Sequence, residues 1–78
     1  MATAFVFITT DPASMPKVLA EVKAVDGVEE AEMVYGLYDI IAKVSVETMD
    51  KLKIVIAKQI RVINKVLSTQ TLLVIRQE

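Results

Sequence analysis

Apolar and polar positions change period several times along the 78-residue chain. Residues 3–9, Thr-Ala-Phe-Val-Phe-Ile-Thr, are β-branched and aromatic and too few for a stable helix, which predicts a strand. Asp11-Pro12 and Ser14 interrupt that run, and Pro16 suits the first turn of a helix, where a missing N–H costs nothing. Met15, Val18, Leu19, Val22 and Val25 follow helical spacing, with Lys17, Glu21 and Lys23 on the other side, and Asp26-Gly27 supplies the stop. Residues 28–35 predict a strand with mixed faces, Val28, Glu30, Glu32 and Val34 on one and Glu29, Ala31, Met33 and Tyr35 on the other. A strand that polar belongs at a sheet edge. After a turn at Gly36, Tyr38, Ile40, Ala42, Val44 and Val46 alternate with Asp39, Ile41, Lys43 and Ser45, the cleanest strand pattern in the chain. Thr48 then predicts the N-cap of a second helix, with Asp50 in its first turn and a buried stripe of Met49, Leu52, Val55, Ile56, Ile60 and Ile63. The chain breaks at Asn64-Lys65, and residues 66–76 predict a last strand.

The order β-α-β-β-α-β with helix-length crossovers predicts an α+β, ferredoxin-like fold, a four-stranded antiparallel sheet with two helices on one face. Those helices leave the other face open. Yet the first strand carries Phe5 and Phe7 on one side and Ala4, Val6 and Ile8 on the other, and the last sets Leu67 and Leu73 against Leu72 and Val74. A soluble monomer seldom exposes so apolar a face. The pattern therefore predicts pairing of two sheets into a dimeric α/β sandwich.

Composition sharpens this. Apolar types make up 54% of the residues and mean hydropathy is +0.49, high for a small monomer. Cysteine and histidine are both absent, so neither disulfides nor thiolate or imidazole metal ligands can supplement a small core. Nine basic against ten acidic residues give a net charge of −1, without the basic stripe of a nucleic-acid binder. Lys51, Lys53, Lys58, Arg61 and Lys65 are instead read as a solvated helix face. No apolar run approaches the ~20 residues of a membrane helix, and the N-terminus does not read as a secretion signal, so a cytoplasmic location is expected.

Candidate chemistry is sparse. There is no Gly-x-Ser-x-Gly elbow, and Tyr38 beside Asp39 is weak ground for acid–base catalysis. Glu29, Glu30 and Glu32 lack the spacing of a cation loop and read as a solvated edge, so neither a metal nor another cofactor is expected. The segment Val34-Tyr35-Gly36-Leu37-Tyr38-Asp39-Ile40-Ile41 says more. It sets a phenol and a carboxylate at the mouth of a hairpin, and the polar run Ser68-Thr69-Gln70-Thr71 offers hydroxyl partners for a ligand. An ordinary β-turn whose Asp accepts local backbone N–H bonds accounts for the hairpin as well, and strand propensity accounts for the threonines.

The same hairpin, continued through Ala42-Lys43-Val44, resembles the Gly-x-Tyr/Phe-Asp segment of the Lrp/AsnC effector domain, also called the RAM domain. The likeness runs through Ala4-Phe5-Val6-Phe7-Ile8, Asp26-Gly27-Val28 and Val66-Leu67-Ser68-Thr69-Gln70-Thr71. It implies a subunit that dimerises through its sheet, dimers that gather into octameric or decameric rings, and an amino-acid effector held between subunits. Carried over by position, Gly36, Leu37, Tyr38 and Asp39 match the ligand loop, and Ser68, Thr69 and Thr71 match the polar part of the last strand. Two departures stand out. Asn64-Lys65 occupies the place of a common Pro-Gly, which predicts a loop of different shape, and the helix-turn-helix of the family's transcription factors is missing. The resemblance thus implies a stand-alone ligand-binding and oligomerisation module. Such a module makes no direct contact with nucleic acid or membrane, and it influences transcription through assembly with full-length Lrp/AsnC regulators. The alternatives are a purely structural oligomer and a dimeric ferredoxin-like monooxygenase or isomerase. The enzyme is disfavoured because the chain has no His or Trp and its single Asn, Asn64, lies in a loop.

Overall fold

The computed structural model describes residues 1–75. Strand β1 (Ala2–Thr10) is followed by a 3-10 turn (Pro12–Ser14), helix α1 (Met15–Lys23), strands β2 (Val28–Met33) and β3 (Ile40–Val46), helix α2 (Met49–Val55) running into a π turn (Ile56–Ile60), and strand β4 (Val66–Leu73). The antiparallel sheet has the order β2-β3-β1-β4, so the most apolar strand is central and the most acidic one lies at an edge. Two helices and four antiparallel strands in this order make the ferredoxin-like α+β fold expected from the sequence.

The core lies between the helices and one sheet face. Ala4, Val6 and Ile8 of β1 and Ile40, Ala42 and Val44 of β3 are fully buried there, under Val18 and Val22 of α1 and Leu52 of α2. The other face carries Phe5, Phe7, Ile41 and Leu72 near the middle, with Phe5 opposite both Lys43 and Leu72, and Phe7 opposite Ile41 and Gln70. The Thr48 hydroxyl caps α2 by accepting from the Lys51 N–H at 3.1 Å.

Several elements differ from expectation. β2 ends at Met33 and β3 begins at Ile40, so residues 34–39 form a longer hairpin tip than two abutting strands would leave. A register shift after Val28 makes Glu29 an extra residue, which puts Val28 opposite Val44 on the core side with Ala31 rather than beside Glu30 and Glu32. Met49 is 39% exposed and Ile63 lies beyond the helix, so the buried stripe is Leu52, Val55, Ile56 and Ile60. β4 stops at Leu73, and the predicted end at Arg76 falls outside the described residues. Lys65 takes a φ of 77°, a left-handed conformation that glycine would adopt freely, so this loop holds its turn with a lysine.

Gly27 is a stricter position. Its φ is +102°, and a Cβ there would lie 2.8 Å from the Val46 side chain. Gly27→Ala is expected to lower stability by about 1–3 kcal/mol, read as a fall in the urea midpoint with an unchanged slope.

Candidate ligand site

The hairpin tip is presented by an unusual use of Asp39. Its N–H donates to the Ile8 carbonyl (2.9 Å), its carbonyl accepts from the Val34 N–H (2.9 Å), and its Oδ2 accepts from the Thr10 N–H (2.8 Å). The carboxylate therefore ties the hairpin to the end of β1, 29 positions away in sequence, instead of closing a local turn. One oxygen satisfies the backbone N–H of the buried Thr10. The other, Oδ1, receives no hydrogen bond from any described residue.

Tyr38 stands edge-on to Phe7, with ring centroids 5.3 Å apart and planes at 73°, the favourable quadrupole arrangement for two aromatics. That contact locates the phenol beside the open sheet face. Gly36, at φ +147°, has open space where a Cβ would stand, so the backbone conformation is what calls for glycine there. Tyr35 and Leu37 on either side of it are fully or almost fully exposed, at 106% and 92%.

The hydroxyls of β4 divide between the two sheet faces. Ser68 lies opposite Thr9 and bonds its hydroxyl, next in the chain to the Thr10 that Asp39 holds. Thr69 and Thr71 lie opposite the buried Ile8 and Val6, so both face the helices. There the Arg61 Nε–H donates to the Thr69 hydroxyl at 3.1 Å. Of the seven residues singled out by the resemblance, Tyr38, Asp39 and Ser68 border the same end of the sheet, Gly36 and Leu37 project past it, and Thr69 and Thr71 lie on the other side. Phe7, Thr9 and Thr10 complete the constellation and were not legible as partners. They are far from the hairpin in sequence, and only strand pairing reveals them.

Glu29 and Lys43 form an ion pair at 3.5 Å that is open to solvent, and Glu30 and Glu32 are exposed, in line with a wet edge. Among the described residues no group of three or more His, Cys, Asp or Glu side chains comes together to hold a metal ion. No described helix is long and apolar enough to cross a membrane.

Comparison with known proteins decides the family. The family model described as the Lrp/AsnC ligand binding domain matches residues 3–78. The chain belongs to the Lrp/AsnC family. Among solved structures it is similar to FFRP-DM1, with 35% identity over 96% of this chain and 100% of that one and a TM-score of 0.91. It is also similar to E. coli AsnC, with 31% identity over 97% of this chain and a TM-score of 0.89, and there it spans 52% of the longer AsnC chain. A feast or famine regulatory protein from M. tuberculosis, solved with L-methionine, shares the fold at 24% identity and a TM-score of 0.81, covering 99% of this chain and 52% of that one. Among curated proteins no sequence matches. The matched region is of the ligand-binding type within that family.

Proposed function

We propose that this Lrp/AsnC domain binds a free amino acid at the hairpin of residues 34–39. The site is completed by other copies of the chain, and the assembly modulates transcription in the cytoplasm together with full-length Lrp/AsnC regulators, without itself catalysing a reaction. The observation that carries this reading is Asp39. Two backbone hydrogen bonds fix the residue at the foot of an exposed tip and a third, from the Thr10 N–H, orients its carboxylate, with one oxygen still free to accept from an ammonium group. The L-methionine held by the M. tuberculosis relative supports the ligand class. Tyr35 and Leu37 are suited to closing the site against a neighbouring subunit, with Ser68 as a further polar partner.

Assembly rests on area as well as pattern. The chain exposes 5188 Å², about a tenth more than the ~4,700 Å² expected of a folded monomer of its mass. The apolar part of the open face is concentrated on β1 and β4 with Ile41, while β2 offers Glu30 and Glu32, so the pairing surface is centred on β1 and β4. A dimer through this face, built up into an octamer or decamer, brings hairpin tips to subunit boundaries. Effector and assembly are then thermodynamically linked.

The test is a thermal-shift series over the twenty amino acids at millimolar concentration, repeated with Asp39→Asn. At least one amino acid should raise the melting temperature. Asp39→Asn keeps an oxygen for the Thr10 N–H, so the free protein should melt almost unchanged while affinity falls about tenfold or more through loss of the charged acceptor. Silence toward every amino acid would leave a purely structural oligomer as the function.

A further inference from the structure

Apart from the hairpin the fold has a groove of about 300 Å³ between α2 with its π turn and the inner edge of β4. Its floor is apolar, with Leu52 and Ile56 buried, Ala57 half-buried and Leu73 47% exposed. The groove arises because α2 packs over β3 and β1, leaving the inner face of β4 at its border. Its polar lining is of one kind. Lys53 and Arg61 are both exposed, and neither has an acidic partner among the described residues; Thr71 adds a hydroxyl. Arg61 is also positioned. The π turn ends with its N–H bonded to the Ile56 carbonyl at 3.0 Å, and its Nε–H is held by Thr69, leaving the terminal guanidinium nitrogens without a described partner. π turns of this sort recur at functional sites.

We infer that this groove binds a small carboxylate with a branched apolar tail and no ammonium group, such as a short-chain fatty acid or a 2-oxo acid. The argument is one of complementarity. An anchored guanidinium presents paired donors to a carboxylate, Lys53 adds like charge, and a four- to six-carbon tail of roughly this kind covers the exposed part of Leu73 and the apolar floor. The lining contains no Asp or Glu, so the ammonium of an amino acid would meet two cations and no anionic acceptor. That is the reverse of the Asp39 site, and the two are chemically distinct. The groove would let the same domain respond to an amino acid and to its deaminated relatives separately. The inference does not depend on what binds at the hairpin.

Methyl NMR on the intact assembly tests it, using 4-methyl-2-oxopentanoate as the probe. Resonances of Leu52, Ile56, Ala57 and Leu73 should shift saturably. Arg61→Gln, at an exposed position, should weaken binding about tenfold or more, and Ala57→Phe, which fills the floor while keeping Arg61, should also abolish it. Asp39→Asn should leave it unchanged. Leucine and 4-methylpentan-1-ol, which share the carbon skeleton, should not saturate the same resonances. Absence of a saturable shift up to tens of millimolar, equal binding by Arg61→Gln, or equal binding of the alcohol or of leucine would each overturn the assignment.

Discussion

Phe5→Glu is expected to reduce the assembled protein to single 8.6 kDa chains at micromolar concentration while leaving its strand and helix content intact. Phe5 occupies the centre of the open sheet face, opposite Lys43 on β3 and Leu72 on β4. In one chain it is half-buried by these neighbours and has water above it, so a carboxylate there is tolerated and gains Lys43 as a neighbour. Between two sheets the same carboxylate loses its hydration, at an effective cost of several kcal/mol even after relaxation. A twofold contact repeats every substitution, so two such charges face the interface. Each 1.4 kcal/mol is a factor of ten, and a dimer with two desolvated glutamates should dissociate more than about a thousandfold more readily. Sedimentation of the two proteins at matched concentration reads this directly. A native chain that already sediments as a monomer, or a Phe5→Glu protein that assembles undiminished, would remove the sheet face from the function.

What could be read from the chain and what could not divide by the range of the interaction. The alternation in β1 and β3 and the Thr48 cap depend on neighbours a few positions away, and each appears where the residues indicate. Helix α1, by contrast, already ends at Lys23, so Val25 lies past the helix and Gly27, with its positive φ, serves the turn into β2. The bulge at Glu29 inserts one residue into an already polar strand, so the two faces of β2 cannot be sorted by hydropathy alone. The π turn is hidden for a related reason. Leu52, Val55, Ile56 and Ile60 fit ordinary helical spacing, and only the bond from the Arg61 N–H to the Ile56 carbonyl distinguishes it.

The site divides in the same way. The resemblance groups Ser68, Thr69 and Thr71, whereas the two-residue period of a strand already separates Ser68 from the other two, and β4 follows the period. Asp39 suggested a local turn because Asp so often makes one. Its actual partner, the Thr10 N–H, is set by the pairing of β1 with β3 and by the register that ends at Ile8 and Ile40. Arg61 reads as one more solvated cation until the π turn places it over Thr69.

Leu52→Ala is expected to cost about 2–5 kcal/mol, the range for removing a fully buried leucine side chain when its surroundings cannot collapse. A domain of this length has a total of only about 4–12 kcal/mol, so one substitution removes a large share of it. Leu52 is completely buried on α2, which packs against β3 and β1, the same two strands that carry the pinned end of the hairpin. Ile54, two residues on, is 55% exposed, and Ile54→Ala should cost less than about 1 kcal/mol. The pair controls for helix propensity, because both changes introduce the same alanine into the same helix. Urea unfolding at equal protein concentration should separate the two midpoints clearly, the matched concentration removing the contribution of assembly to stability. Equal losses would mean that another subunit covers Ile54 as thoroughly as the sheet covers Leu52. The outer surface of α2, and not the open sheet face, would then be where copies meet.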